Sequence, residues 1–519
     1  MKTRFDQHSK RKALATCLLA FASLTAAGSA WAAKDAILAI NSEPDSLDPY
    51  NTNSTLAMAV SKTFYEGLFK FDKDLKIVPV LAESYTVSPD GLVYTFKLRQ
   101  GVKFQDGTDF NADAVKANID RVLDKNNHLT RYAQFNRIDK VEAVDPNTVR
   151  FTLKEPFAPF LNSLAHPSAA MISPTALKKW GKDISQHPVG TGPFTFVEWK
   201  HADDIKGAKF AGYWHKGYPK VDTVTWKPVP ENSTRAAMLQ TGETDFAYPL
   251  PYEQAASLTK SDKLNVITRD SIIERYISMN VQHKPFDNVK VRQAVAYAIN
   301  RQALAKVAFS GYAFPAMGIV PQGVAYAYKM QPWPYDPKKA KELLKEAGYP
   351  NGFEETLWGA YNDTTTQKVL QFLQQQLGQV GIKVKVRALE PGERTDLVQS
   401  QKNPADAPVR MFYSGWSAST GEADWALRPL LTKEAFPPVL YNTAYYTNPK
   451  VEKDVADALK SVDDKQKAEL YKDAQEQVWN DAPWATLTTD KLIYGTSKRL
   501  SGATVMPDGN IDISDIAIK

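Results

Sequence analysis

Two hydrophobic periods alternate along the chain. Tyr85-Thr86-Val87 and Val93-Tyr94-Thr95-Phe96-Lys97-Leu98 switch between apolar and polar positions every second residue, across the turn Ser88-Pro89-Asp90-Gly91. That pattern predicts an antiparallel hairpin with one buried face. After Gly107-Thr108 the period lengthens. Ala112, Val115, Ile119 and Val122 fall on one helical face, with Asn111 as the cap. Val149-Arg150-Phe151-Thr152-Leu153 returns to strand and is closed by Pro156.

In the second half, Val291, Ala294, Val295, Ala298 and Ile299 predict a helix over residues 289–305. Further helices are predicted over 338–347, ended by Gly348 and Pro350, over a Gln-rich stretch 365–380, over 449–461 behind Asn448, and over 464–480. Gly381-Ile382-Lys383-Val384-Lys385-Val386 and Arg410-Met411-Phe412-Tyr413-Ser414-Gly415-Trp416 read as strands. Strands alternating with helices imply parallel sheets and an α/β fold. The chain has 519 residues, too many for one ordinary core, which implies two or three subdomains. With no low-complexity linker, the lobes are expected to be joined by crossing strands at a hinge.

The first 32 residues stand apart. A basic start carrying Lys2, Arg4, Lys10, Arg11 and Lys12 precedes an apolar run over residues 13–24 and the small-residue sequence Ala30-Trp31-Ala32. This reads as a secretory leader, cleaved before Ala33. Cys17 lies inside the run, and Thr16 before it makes a poor acylation site. No later stretch reaches the roughly 18 apolar residues of a membrane helix. A mature chain without Cys17 has no cysteine, hence no disulfide and no thiol nucleophile. Removing the five leader cations and Asp6 leaves 59 basic against 57 acidic residues. So even a balance excludes a nucleic-acid surface or polybasic anchor, and any charge selectivity must be local to a pocket; a monomer is expected.

Catalytic signatures are missing from the sequence. The seven histidines show no H-E-x-x-H or other dense ligand spacing. Gly415-Trp416-Ser417-Ala418-Ser419 misses the G-x-S-x-G elbow by one residue, and no phosphate-cradling glycine loop occurs. No enzyme activity, cofactor or metal is expected. A secreted hydrolase would require Ser417 or Ser419 within hydrogen-bond reach of a histidine, and a holdase chaperone a large exposed apolar patch.

The pieces resemble a known family, the periplasmic solute-binding proteins of family 5, the peptide- and nickel-binding type that serve ABC importers. The resemblance is carried by Tyr65-Glu66-Gly67-Leu68, Leu81-Ala82-Glu83-Ser84-Tyr85, Gly101-Val102-Lys103-Phe104-Gln105-Asp106-Gly107, Val189-Gly190-Thr191-Gly192-Pro193-Phe194, Val291-Arg292-Gln293-Ala294 and Leu343-Leu344-Lys345-Glu346-Ala347-Gly348-Tyr349. It implies a two-lobed α/β periplasmic binding protein with hinge strands and an extra subdomain. The expected boundaries are 33–80, 188–275 and 488–519 for the first lobe, 81–187 for its extra subdomain, and 276–487 for the second lobe. It also implies docking to an ABC permease whose ATPase subunits supply energy. Within the family the likeness is to glutathione binders, through Glu274-Arg275-Tyr276-Ile277-Ser278-Met279-Asn280, Asn232-Ser233-Thr234-Arg235 and the segment 410–425. A general di- or tripeptide binder is the alternative.

Members that bind peptides place an acidic residue after the Gly-Trp strand end, to pair with the α-ammonium; Ser419 stands there. A zwitterionic head suits a hydroxyl with a nearby acid, so Ser419, with Glu422 or Asp424, is expected to take it, alongside Ser417 and Thr420. The alternative for Glu422 and Asp424 is to cap a helix starting near Trp425. The ligand's carboxylates call for arginines, whose planar fork binds them bidentately. Arg275, beside Tyr276 on an expected crossing strand, and Arg131, beside Tyr132 in a polar loop, are the candidates; an ordinary salt bridge is the alternative for each. Asn53 and Thr55 follow the first strand, and Trp416 offers an apolar wall and an N–H. Tyr361 and Asn362 are weaker candidates. Arg292 and Arg301 are expected on solvated or salt-bridged faces.

Overall fold

A computed structural model describes residues 34–519. The leader, with Cys17 and the cleavage site, lies outside the described residues.

One large sheet runs through the molecule. Its strand order is Ile382–Ala388, Phe353–Gly359, Met411–Ser417, Leu264–Met279, Trp484–Ser497, Phe246–Tyr248, Asp35–Ile40, Thr223–Pro228, Asp204–Lys209, Phe194–Lys200. Parallel pairing occurs toward both ends: Asp35–Ile40 with its two neighbours, and Phe353–Gly359 with its two. The central pairs are antiparallel, so the sheet is mixed rather than wholly parallel.

The two longest strands, Leu264–Met279 with 16 residues and Trp484–Ser497 with 14, pair along almost their whole length. One end is flanked by Phe246–Tyr248, the other by Met411–Ser417. The ladder shifts register twice, between Asp270 and Glu274 and again between Arg275 and Tyr276, and the first is the wider break. There Ile272 N–H leaves its partner strand for Pro507 O at 2.9 Å, and Ser271 Oγ donates to Asp490 O at 2.8 Å. Extra residues on one strand bend it and sharpen its twist. These are the crossing strands expected from the absence of a linker. One core surrounds Ile277, Val295, Leu344 and Leu373 beyond the break, and a larger one extends from Leu38, Phe64, Phe194 and Trp226 past the break to Tyr276, Leu427, Tyr471 and Trp484.

A second sheet of four antiparallel strands is built from Ala82–Val87, Val93–Leu98, Thr148–Leu153 and Ile138–Asp145. The hairpin pairs Tyr85 with Phe96, and Tyr94, Phe96 and Leu98 are buried as the alternation required. Helix Ala112–Leu123 begins where Asn111 Oδ1 accepts from Ala114 N–H at 3.0 Å.

Two expectations are corrected. Residues 289–305 do not form one helix: Val289–Tyr297 ends, and Arg301–Ala308 starts afresh with Asn300 Oδ1 accepting from Ala303 N–H at 3.0 Å. Arg292 and Arg301 are not on solvated faces but buried, and they donate to carbonyls. Arg292 reaches Asp481 O and Phe286 O, and Arg301 reaches Thr486 O and Ala296 O. A guanidinium has five donors and no acceptor, so otherwise orphaned chain ends satisfy it inside a core.

The two halves touch across the space beside the crossing strands. Asn162 Nδ2 donates to Thr420 O at 2.7 Å, and Ala158 N–H to Leu459 O at 2.9 Å. Polar contacts therefore join the two halves beside the crossing strands.

Candidate functional site

A cavity of about 550 Å³ lies against the crossing strands. Asn53 and Thr55 reach it from one side, because Ser54 Oγ accepts from Ala57 N–H at 3.2 Å and starts the helix Thr55–Ser61 there. Arg275, Tyr276, Trp416, Ser417 and Ser419 reach it from the paired strands and the loop that follows them. Tyr276 is buried and stacks on Trp484, ring centroids 4.0 Å apart.

Arg131 is the most consequential lining residue. It is only 6% exposed. Its Nε donates to Thr52 O at 2.8 Å and its Nη2 lies 3.5 Å from Met58 Sδ. Among the described residues it joins no ion pair, and burial pushes its pKa down, against the pull of Tyr441 and Asp45. A buried cation with no carboxylate in contact with it is an expensive feature to retain without a use.

Arg394, half-buried where Arg131 is buried, also lines the cavity. Its Nη1 donates to Ala360 O at 3.2 Å, its Nε has no partner, and its guanidinium lies 5.3 Å from the Tyr361 ring centroid. It too joins no ion pair among the described residues. Arg275 differs. Its Nε and Nη2 both donate to Asp490 Oδ2, at 2.9 and 2.6 Å, so its charge is already matched and the salt-bridge alternative holds. Gly415 makes room for that pair, since a Cβ there would stand 2.6 Å from Arg275 Nη1.

Trp416 contributes its ring, but its N–H is spent on Trp425 O at 2.6 Å. Ser417 Oγ donates to Asp508 O at 3.2 Å. Ser419 Oγ stands 3.1 Å from His166 Nε2 in the other half.

Four expected residues do not reach the cavity. Tyr132 opens the short helix Tyr132–Phe135, with the Lys125 ammonium 5.8 Å from its ring. Thr420 is buried, and its carbonyl accepts from Asn162. Glu422 faces Lys467, Oε1 to Nζ 2.7 Å; burial raises its pKa to about 6 although Lys467 opposes the rise. Asp424 binds Arg428 through both oxygens at 2.9 and 3.0 Å. Neither acid caps the helix Asp424–Leu431, whose first turn has no side-chain cap. Buried carboxylates keep their charge only when paired, and both pairs are internal. Of the weaker candidates Tyr361 lines the cavity, while Asn362 turns away to Glu390 Oε1 at 2.6 Å.

Sequence reasoning missed Arg394, Tyr441 and Asp508, all in the lining. They lie in polar or irregular segments with no periodicity to mark them.

Comparisons with known proteins give the class. The model of the bacterial extracellular solute-binding proteins, family 5 middle, matches residues 76–437. The glutathione-binding protein GsiB of Salmonella typhi is 58% identical over 501 residues, covering 96% of this chain and 98% of that one. The periplasmic binding protein DppA of Helicobacter pylori, solved in complex with peptide STSA, has a TM-score of 0.83 at 30% identity, over 93% of this chain and 98% of that one. A Pseudoalteromonas dipeptide binding protein in complex with Met-Leu has a TM-score of 0.85 at 26% identity, over 93% and 100%. The chain belongs to the bacterial extracellular solute-binding proteins of family 5. Its fold is the two-lobed α/β fold of the periplasmic binding proteins, as the sequence motifs implied.

Proposed function

We propose that this chain is the periplasmic solute-binding component of an ABC importer, capturing glutathione in the interlobe cavity and presenting it to the membrane permease. The observation that carries this is the pair of arginines without an ion pair among the described residues, Arg131 and Arg394, that both line the cavity. Glutathione has two carboxylates, and a planar guanidinium fork is the side chain best matched to each. The 58% identity to a glutathione-binding protein supports the same ligand. With lobes bounded as the sequence suggests, Arg131 belongs to the first and Arg394 to the second. A ligand held by both stabilises the closed form by its differential affinity for it. The basic, then apolar leader supports export to the periplasm, and ATP hydrolysis falls to the partner ATPase.

Capture, not turnover, is the role. The Ser419–His166 distance of 3.1 Å meets the requirement set for a hydrolase. However, His166 Nδ1 faces Ser168 Oγ at 2.8 Å instead of a carboxylate, and burial holds the imidazole far below its usual pKa. Nothing there would stabilise the imidazolium that acyl transfer requires.

The test is calorimetric titration of the ligand-stripped mature protein with reduced glutathione and, separately, with a mixed dipeptide. Binding of glutathione at micromolar Kd or tighter, with the dipeptide silent and glutathione recovered uncleaved, is expected. Binding of the dipeptide alone would return the chain to the general peptide binders.

A further inference from the structure

Ser419, standing where peptide binders place an acid for the α-ammonium, was expected to take the ligand's zwitterionic head together with Glu422 or Asp424. The hydrogen bonds behind it set the opposite polarity. Ser419 and His166 are both buried, and their contact is Oγ to Nε2. Which atom donates depends on the imidazole tautomer, and that is decided at the ring's other nitrogen. The backbone N–H of Ser168 points at His166 Nδ1 from 3.2 Å. A main-chain N–H is a donor only and cannot turn away, so Nδ1 must present its lone pair. The Ser168 hydroxyl, 2.8 Å from Nδ1 and 3.1 Å from Gln134 Oε1, is a rotor that adapts to either partner. With Nδ1 an acceptor, the proton of the neutral ring sits on Nε2. Ser419 Oγ therefore accepts from His166, and its own proton is free to point into the cavity.

The surroundings agree. Burial and the nearby Arg131 guanidinium both disfavour a charged His166. Arg131 also lies close enough to Tyr441 to influence its hydroxyl, and both line the cavity with Ser419. Hence this end of the cavity presents a cation and a committed hydroxyl donor, with Glu422 and Asp424 withdrawn into their own ion pairs.

We propose that His166 is a positioning residue that fixes Ser419 as a hydrogen-bond donor, so that the Ser419–Arg131 end of the cavity receives a carboxylate of the ligand and rejects its ammonium. This rests on the reading that the cavity holds the solute. It goes beyond that reading in naming which ligand group enters which end and what sets the choice.

Two measurements test it. Nitrogen-15 histidine spectra of the ligand-free mature protein, with His166→Gln to assign the signals, read the tautomer directly. The Nε2–H form is expected, and an Nδ1–H form overturns the proposal. Calorimetry with reduced glutathione then reads the sign. Ser419→Ala should bind about tenfold more weakly. Ser419→Asp, which retains an acceptor for His166 but sets a carboxylate against the incoming one, should bind at least about a hundredfold more weakly. Unchanged or tighter binding by Ser419→Asp would mean that this end takes the ammonium. His166→Gln, whose amide N–H can replace Nε2–H, should stay within about threefold, whereas His166→Leu should fall with Ser419→Ala. If the wild-type protein ignores glutathione, the proposed function falls. The tautomer still decides whether Ser419 is a donor.

Discussion

Replacing Arg131 with Met should abolish capture while leaving the fold almost untouched, the reverse of what a buried arginine usually does. Methionine keeps the length of the stem and removes the charge. In the ligand-free protein the guanidinium lies 3.5 Å from Met58 Sδ, has no carboxylate ion-pair partner among the described residues, and gives one bond to an oxygen, Thr52 O. Losing that bond removes about 1 kcal/mol. Relief from holding an unmatched cation out of water offsets it, so the net change in stability should lie within about 1 kcal/mol. On binding, two charge-assisted bonds to a carboxylate contribute about 1.5–3 kcal/mol each. Their loss, about 3–6 kcal/mol, weakens Kd by about a hundredfold to more than ten-thousandfold. Thermal and denaturant melts with and without glutathione read both quantities. At a glutathione concentration a thousand times the wild-type Kd, ligand should stabilise the wild type by about 4.1 kcal/mol. A variant weakened a thousandfold retains about 0.4 kcal/mol at that concentration. A variant that binds within threefold of wild type, or that unfolds by more than about 3 kcal/mol, would show that Arg131 serves the structure and refute the argument.

Other perturbations separate fold from function. Lys467→Met leaves Glu422 buried and unmatched and should destabilise the protein by about 3–5 kcal/mol near pH 7.5. The folded pKa of Glu422, about 6, already lies above its ordinary 4.5, so the native state takes up the proton first as pH falls. The deficit should therefore shrink below pH 6, and denaturant melts at pH 5 and 7.5 would expose a deficit that does not. Gly415→Ala brings a Cβ to 2.6 Å from Arg275 Nη1 and must push the guanidinium off Asp490. A loss of about 1–3 kcal/mol in melts, with weaker glutathione binding, is expected. Asn162→Ala removes the 2.7 Å bond to Thr420 O that joins the halves. It should weaken affinity only about three- to tenfold, and small-angle scattering should show a more open ligand-free form; unchanged scattering would argue against a role in closure.

Local signals carried the fold. The hairpin at 85–98 and the Asn111 helix were legible because alternation and a cap act within a few residues. The helix at 289–305 was misread because the apolar spacing runs on through Ala298 and Ile299, masking the cap that Asn300 supplies. The crossing strands were expected from what the chain lacks, a linker, but their break at residues 271–273 was not: it depends on Pro507, over 200 residues away. For the site, proximity to the Gly-Trp strand end correctly singled out Ser419 and Trp416 as cavity-lining. It could not say that the Trp416 N–H is spent on Trp425 O, because that depends on the path of the following loop.

The harder distinction lay among the charges. Glu422, Asp424 and Arg275 have the same chemistry as Arg131 and Arg394, and each could hold a peptide group. What separates them is whether the protein supplies the opposite charge. Glu422 finds Lys467 and Arg275 finds Asp490, partners remote in sequence, while Asp424 finds Arg428 one helical turn on. Arg131 and Arg394 find backbone carbonyls and sulfur, which orient a guanidinium without neutralising it. A matched pair inside a protein is satisfied before any solute arrives and gains little from one. A buried cation left unpaired, as Arg131 is, gains more from a solute carboxylate than a matched pair does, and under the proposed function that gain contributes to affinity and closure. The proposed function accordingly assigns the ligand's two carboxylates to Arg131 and Arg394. It treats Glu422, Asp424 and Arg275 as the fixed electrostatic frame that keeps those two sites apart.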